Sequence, residues 1–209
     1  AMTMSATSRP AQMRAEYSGV PLRAIAQLAK SWNFSEASFG MAALNSYYAT
    51  PSVADEHGFA LADAPWPHFF DPFRNAVAGK KVAVIGHFPF APKALNQAAD
   101  FYMLELSLNE GDYPDSAAEY ILPECDYVFI TGSAFVNKTA PRLLELSRES
   151  FNVVLGPSTP LAPVLLENYG VSQVTGMVPT SPLAMFEGLS GTDAGTTMFE
   201  WGHRVELFA

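Results

Sequence analysis

"VAVIGHFPF", residues 82–90, decides how the rest of the chain is read. A short apolar run closed by glycine has the form of the first strand of a nucleotide-binding α/β fold, entering its phosphate loop. The loop then leaves that pattern, because His87 and Pro89 stand where further glycines belong. A G-x-G-x-x-G cradle needs glycines for its tight turn and for backbone approach to a pyrophosphate. Residues 86–93, "GHFPFAPK", offer Gly86 alone, with bulky Phe88 and Phe90 in the way. Glu105 follows Gly86 by 19 residues, near where a ribose-binding acid would stand, but one acid without the glycines makes no dinucleotide site. The chain also has no P-loop, G-x-S-x-G elbow, H-E-x-x-H or C-x-x-C.

Downstream of this strand, short apolar runs alternate with helical stretches. Strands are expected at "KVAVIG" (81–86), "FYMLEL" (101–106), "DYVFITG" (126–132), "NVVLGP" (152–157), "SQVTGMV" (172–178) and "RVELFA" (204–209). Helices are expected within "PKALNQAA", "DSAAEYIL", "TAPRLLELSRES" and "TPLAPVLLENYG". Near-continuous apolar strands separated by helices imply an α/β fold, a parallel sheet of about six strands covered on both faces. Upstream, "PLRAIAQLAKSW" places Leu22, Ile25, Leu28 and Ala29 on one helical face. The small residues of "SEASFGMAALNSYYAT" predict a second, closely packed helix, and so a helical hairpin. Between hairpin and sheet, Pro51, Pro65, Pro67 and Pro72 predict a linker of short turns. Its Trp66, Phe69, Phe70 and Phe73 suggest that it is packed down. The expected organisation is an irregular lead over residues 1–18, a small helical domain with its linker over 19–78, and an α/β domain over 79–209.

The 209 residues are 49% hydrophobic and 16% charged, enough to bury a proper core. Twelve Lys and Arg against 21 Asp and Glu give a formal charge of −9, without a basic stripe, so nucleic acid is not an expected partner. No apolar run approaches a membrane span, and residues 1–19 lack the apolar stretch of a secretory signal. With Cys125 as the single cysteine there is no internal disulfide and no thiolate cage, and a cytoplasmic location is expected. The linker aromatics and the small N-terminal part leave a homo-oligomer open.

In an open parallel sheet, ligands bind beyond the carboxyl ends of the strands. The first strand ends in Gly86-His87, and the second in Glu105, followed by Glu110 and Asp112. The third ends in Thr131-Gly132-Ser133, with Asn137 close behind, and the fourth in Gly156-Pro157-Ser158-Thr159. Several of these residues have plainer readings. Ser116 with Glu119 matches a capping box, Thr159 before Pro160 and Thr139 before Pro141 suit N-caps, and Asp112 suits a turn. Glu105 is harder to dismiss, since an unpaired carboxylate closing an apolar strand is costly to bury. His87 stands where capping does not require it, although a satisfied structural histidine competes with a functional one.

The stretches "SWNFSEASFGMAALNSYY", "GKKVAVIGHFPF", "NEGDYPDSAAEYILPECDYVFITGSAFVNKT" and "LGPSTPLAP" resemble a bacterial and archaeal family called the putative heavy-metal chelation domain. The resemblance runs from about Gly19 to the C-terminus. It implies a Rossmann-like C-terminal domain, a smaller N-terminal domain similar to that of enolases, and a site in the cleft between them with a role in handling metals. Fewer than 20 residues precede the first helix, so the enolase-like sheet is expected to be truncated or lost. Carried over by position, the family's patterns fall on Glu36 and Asn45 in the small domain. In the large domain they fall on His87, Glu110, Asp112, Glu119, Thr131, Ser133, Asn137, Ser158 and Thr159. Glu36 and Asn45 lie nine residues apart, 2.5 helical turns, and so should not both reach one ligand.

Three functions follow as expectations. The first is a protein that binds a metal or a metal complex, with His87, Glu110 and Asp112 as metal ligands and Glu36 and Glu105 as further candidates. Its oxygen-rich donor set with one imidazole suits a divalent transition metal rather than a soft thiophilic ion. The second is an enzyme acting on a small organic or nucleotide-like ligand, with Asn45, Thr131, Ser133, Asn137, Ser158 and Thr159 binding it and His87 or Glu119 as general base. The third is a non-catalytic partner of a metal transport system.

Overall fold

The computed structural model of the protein describes residues 2–13, 16–66, 68–191 and 199–209. The apolar strand that opens the α/β part, β2 (Lys81–Ile85), lies inside a sheet. Beside it run β3 (Asp100–Glu105), β5 (Tyr127–Thr131), β6 (Phe151–Leu155) and β7 (Gln173–Pro179). Two-residue strands β1 (Ala60–Leu61) and β4 (Tyr113–Pro114) lie at its edges, and β8 (Gly202–Phe208) closes the chain. The sheet order is β1-β8-β7-β6-β5-β2-β3-β4. Pairings from β7 through β4 are parallel, whereas β8 runs antiparallel to both β7 and β1. The six expected strands form, and β1 and β4 are additional.

Strict alternation sorts the strands' side chains to two faces. Ala83, Val128, Ile130, Val154 and Val174 enter one core with Leu143, Leu144 and Leu165. Those leucines come from α6 (Ala140–Leu146) and α7 (Val164–Tyr169), which follow the short helices α3 (Pro51–Glu56), α4 (Ala91–Ala94) and α5 (Ala118–Ile121). Val82, Val84, Phe129, Val153 and Leu155 enter the other. Here the cover is mostly not helix: Trp66, Phe69, Phe70, Phe73 and Val77 of the expected linker pack directly on the strands. Phe70 meets Phe88, Phe90 and Phe129 with ring centroids 5.6, 5.9 and 5.2 Å away. The proline-rich segment therefore acts as one wall of the domain, and its packing matches the expectation from its aromatic content.

The hairpin is present in shortened form. Its first arm is α1 (Leu22–Ala26) continued by a 3₁₀ turn over Gln27–Lys30, and its second is α2 (Phe34–Tyr48). The arms touch at Gly40, where a Cβ would stand 1.9 Å from the Ala29 nitrogen, so only glycine fits. α2 rests on the loop after β5 through Ala37, Met41 and Val136. Among the described residues no strand precedes Ala60 and no helix is long and apolar enough to cross a membrane.

Candidate functional site

The sheet reverses its winding between β2 and β5, since β3 lies on one side of β2 and β5 on the other. The loops leaving these two strands flank the crevice where open α/β sheets hold ligands. After β2, Gly86 adopts φ +106°, and a Cβ there would lie 3.1 Å from the Phe88 ring and 3.2 Å from the Thr131 side chain. The glycine is thus required by the turn and by crowding from a phenylalanine. Phe88 and Phe90 pack among the aromatics of the second face, and His87, between Gly86 and Phe88, turns to the crevice.

His87 is held at two points. Its backbone amide donates to Glu105 Oε2 at 2.8 Å, while Glu105 Oε1 accepts from the Leu106 amide at 2.7 Å. Glu105 therefore answers the cost of its position by fixing the β2 and β3 loops. The His87 ring presents Nδ1 to Asp112, 2.9 and 3.1 Å from its two oxygens. The Asp112 carboxylate is fully buried and also accepts from the Asn109 backbone amide at 3.0 Å and its side-chain amide at 3.3 Å. Burial pushes this carboxyl up, but the bonds from Asn109 and His87 outweigh it and hold it below the ordinary aspartate range. The tautomer that donates from Nδ1 to this carboxylate leaves Nε2 with its lone pair. The His87 side chain is 30% exposed and lines a cavity.

That cavity has a volume of about 870 Å³. Its polar lining includes His87, Glu105, Thr131, Ser133, Asn137 and Ser158. The loops after β5 and β6 touch backbone to backbone, because a Cβ on Gly132 would lie 2.3 Å from the Thr159 nitrogen. Thr131 Oγ1 accepts from the Ser133 amide at 3.3 Å. Asn137 Oδ1 accepts from the Thr139 amide and hydroxyl at 3.1 and 2.7 Å, so Thr139 flanks α6 without its hydroxyl capping it. Lys138 has φ +70°, rare for a residue with a Cβ, and its ammonium donates to the Ala29 carbonyl of the hairpin. Burial pushes this lysine down. On the exposed rim Arg142 grips Glu119 at 2.9 and 2.5 Å and Glu145 at 2.7 Å. The Arg142 guanidinium holds Glu119 below the usual carboxylate range, which makes it a weak base. The apolar wall includes Met2, Met4, Met177 and Met185.

The expected site residues thus divide. His87, Glu105, Glu119, Thr131, Ser133, Asn137 and Ser158 line the cavity, while Glu36, Asn45, Glu110, Asp112 and Thr159 do not. Glu110 is exposed on its loop, and Asp112 stands behind His87. Thr159 does not cap a helix: Pro160 and Pro163 delay α7 until Val164, and the buried Thr159 hydroxyl has no partner among the described residues. The Ser116–Glu119 capping box does not form either, since Ser116 lies within a 3₁₀ turn and Glu119 turns to Arg142. Glu36 and Asn45 share α2 and point to different tasks, as their spacing required. Asn33 caps the helix by accepting the Glu36 amide at 3.1 Å. The Glu36 carboxylate holds the N-terminal lead, and Asn45 Nδ2 donates to the Ser158 carbonyl at 2.8 Å. The N-terminal contribution to the cavity is Met2 and Met4, and no residue of α1 or α2 lines it. No local sequence pattern marks the four methionines, Lys138 or Arg142, which meet only through the tertiary fold.

Among the described residues no group of three or more His, Cys, Asp or Glu side chains is placed to hold a metal ion. Cys125 is buried away from the cavity, donates to the Ile121 carbonyl at 3.3 Å, and has its thiol pushed up to about 12 by burial. The side chains present therefore do not form a cage for a bare ion. They offer one oriented imidazole on the wall of a roomy cavity.

Comparison with known proteins agrees with the resemblance read from the sequence. The model of a family described as "putative heavy-metal chelation" matches residues 68–205, and a second model with the same description matches residues 1–48. A crystal structure of a family member of unknown function from Desulfitobacterium hafniense is 46% identical. It superposes with a TM-score of 0.83 over 91% of this chain and 76% of that one. A second member of unknown function, from Pyrococcus horikoshii, is 21% identical and shares the fold, with a TM-score of 0.74 over 96% of this chain and 80% of that one. An uncharacterized protein of Methanocaldococcus jannaschii is 28% identical over 101 residues, 46% of this chain and 39% of that relative. The matched stretch is thus well under half of that relative's length.

Proposed function

The chain belongs to the family described as "putative heavy-metal chelation", and from that premise we propose that its cavity binds a metal ion already held by a small organic chelator. The observation that carries this reading is the pairing of one oriented imidazole with a cavity of about 870 Å³. A bare ion needs several protein donors converging within bonding distance, and no such set stands among the described residues. A cavity of this size is that of a site for an organic molecule. A metal complex reconciles the two: the chelator fills most of the coordination sphere, and His87 Nε2 supplies a further bond. Asp112 orients the ring, as carboxylates do behind histidines that bind metals. The hydroxyls of Thr131, Ser133 and Ser158 and the Asn137 amide suit the polar groups of the chelator, and the methionine wall suits its apolar part.

A second reading rests on the same ring. A histidine backed by a buried aspartate, with its other nitrogen open to a cavity, is also a general-base arrangement for an enzyme acting on an organic substrate. The two readings separate experimentally. Untagged protein is mixed with Ni, Co, Zn, Fe or Mn salts, alone and with excess citrate or free histidine, and melting is followed. The metal-complex reading expects stabilisation by at least one metal–chelator mixture and little by the salts alone. Equal stabilisation by the bare salt, or by the chelator without metal, contradicts it.

A further inference from the structure

The lead that precedes the hairpin forms no helix or strand over residues 2–13, and residues 5–12 are exposed. This segment is nevertheless tied down at defined points, and the ties are of two kinds. Most go to the first turns of α2. The Gln12 and Met13 amides donate to Glu36 Oε1 at 2.9 and 2.7 Å, and Ser31 Oγ donates to Glu36 Oε2 at 2.6 Å. Asn33 Nδ2 donates to the Arg9 carbonyl at 2.9 Å, and the Phe34 amide donates to the Ala6 carbonyl at 2.8 Å. The Met4 amide donates to Ser38 Oγ at 3.0 Å, and Ser35 Oγ donates to the Met4 carbonyl at 3.0 Å.

The remaining tie is remote from these. The Met2 amide donates to Ser158 Oγ at 2.8 Å, and Ser133 Oγ donates to Met2 Sδ at 3.7 Å. These two serines stand in the loops after β5 and β6 and line the cavity. Met2 is thus seated as a guest would be, with its N–H on one hydroxyl and its thioether on the other. It remains 59% exposed, so little buried surface holds it there.

We propose that Ser133 and Ser158 form a subsite for a main-chain N–H followed by a thioether, as in a methionyl group, and that residues 2–13 are a strap that fills it from within the chain. The proposal extends the reading of the cavity as the ligand site, and its tests use no metal. Two hydrogen bonds at a residue that is 59% exposed are weak compared with a buried carboxylate anchor, because local openings start where contacts are fewest. The strap therefore opens at Met2 first, while Met4 stays on α2 and residues 12–13 stay on Glu36. Lifting Met2 frees both hydroxyls, so a ligand that needs them competes with Met2 and binds more weakly by the fraction of time Met2 is seated.

Methyl-labelled methionine spectra of the full chain test the seating, with the Met2 and Met4 methyls assigned by substitution and the buried Met41 methyl reporting the fold. A seated Met2 gives a methyl signal displaced from the free-peptide position. Ser133→Ala with Ser158→Ala returns it to that position and leaves the Met4 and Met41 methyls in place, whereas Glu36→Gln moves Met4 as well. A Met2 methyl at the free-peptide position in the unaltered chain overturns the strap, as does a Met2 methyl unmoved by the double serine change. The chemical class is tested on Met2→Ala, whose subsite is vacated, by titration with N-acetyl-methioninamide and N-acetyl-alaninamide. The methionine probe is expected to bind about tenfold more tightly, and its advantage to vanish when both serines are alanine. Equal binding of the two probes, or no saturable binding of the methionine probe, contradicts the assignment. Either failure leaves the metal-complex reading standing, since that reading rests on His87 and the size of the cavity, and its own test needs no seated Met2.

Discussion

The two sides of the loop after β2 obey opposite rules. Phe88 and Phe90 go into the aromatic wall with Phe69, Phe70 and Phe129, where each ring meets others edge-on or tilted. His87 goes to the crevice, where its partners are carboxylates. One side is held by burial and shape, the other by a chain of hydrogen bonds around an open nitrogen. The contrast answers why the strand keeps one glycine and no cradle: the Phe88 ring crowds the turn at Gly86, and the exposed function passes to an imidazole. It also predicts that stability and binding are separable between the two sides.

The largest expected effect falls on the aromatic wall. Phe70→Ala, at a fully buried ring, should destabilise the chain by ~3–5 kcal/mol in chemical denaturation. Its remaining folded fraction should keep the ligand behaviour of the unaltered protein. A loss of binding with intact folding would break the separation of the two sides.

A smaller effect belongs to the strap's anchor. Burial pushes Glu36 up, but the bonds from Ser31, Met13 and Gln12 hold it below the ordinary glutamate range. A carboxyl depressed in the folded state adds stability above its unfolded value, and that stability is lost as pH falls through the folded one. The strap should therefore stay seated at neutral pH and detach in acid below the usual glutamate range. Glu36→Gln should cost ~1–3 kcal/mol at neutral pH and flatten the acid dependence. Amide exchange at Gln12 and Met13 reads both; an acid profile identical in Glu36→Gln would remove this carboxylate from the account.

The smallest effect is expected at Cys125. With its thiol pushed up to about 12 by burial, it should resist iodoacetamide at pH 8 while the protein is folded. Cys125→Ala should leave metal retention unchanged. Rapid alkylation, or metal lost with the thiol, would return a thiolate to the mechanism.

How much of this was legible beforehand follows from the range of the interactions. The six strands were readable because each is a local apolar run with a polar or glycine stop, and a strand buried on both faces advertises itself. The strand ends pointed to His87, Thr131, Ser133 and Ser158 because topology carries every parallel strand end to one edge. The capping patterns at Thr159 and Ser116 do not form because Pro160, Pro163 and the 3₁₀ turn at Asp115–Ala117 move the helix starts. Asp112 behind His87, Arg142 on Glu119 and the methionine wall were not readable, since each joins residues distant in sequence or scattered over several elements. Met2 was the least visible of all. Nothing local marks an irregular lead as a guest of two serines more than 130 residues away.

The central claim is that the cavity takes a metal together with its chelator through His87. Native mass spectrometry of untagged protein, mixed with each metal and with citrate or histidine, tests it directly, with His87→Asn alongside because its amide stands near the Nδ1 position and can donate to Asp112 while offering nothing in place of Nε2. The expected result is a bound mass equal to metal plus organic molecule, present in the unaltered protein and lost in His87→Asn while the fold is kept. A bound mass equal to a bare ion, or an adduct that survives His87→Asn, would contradict it.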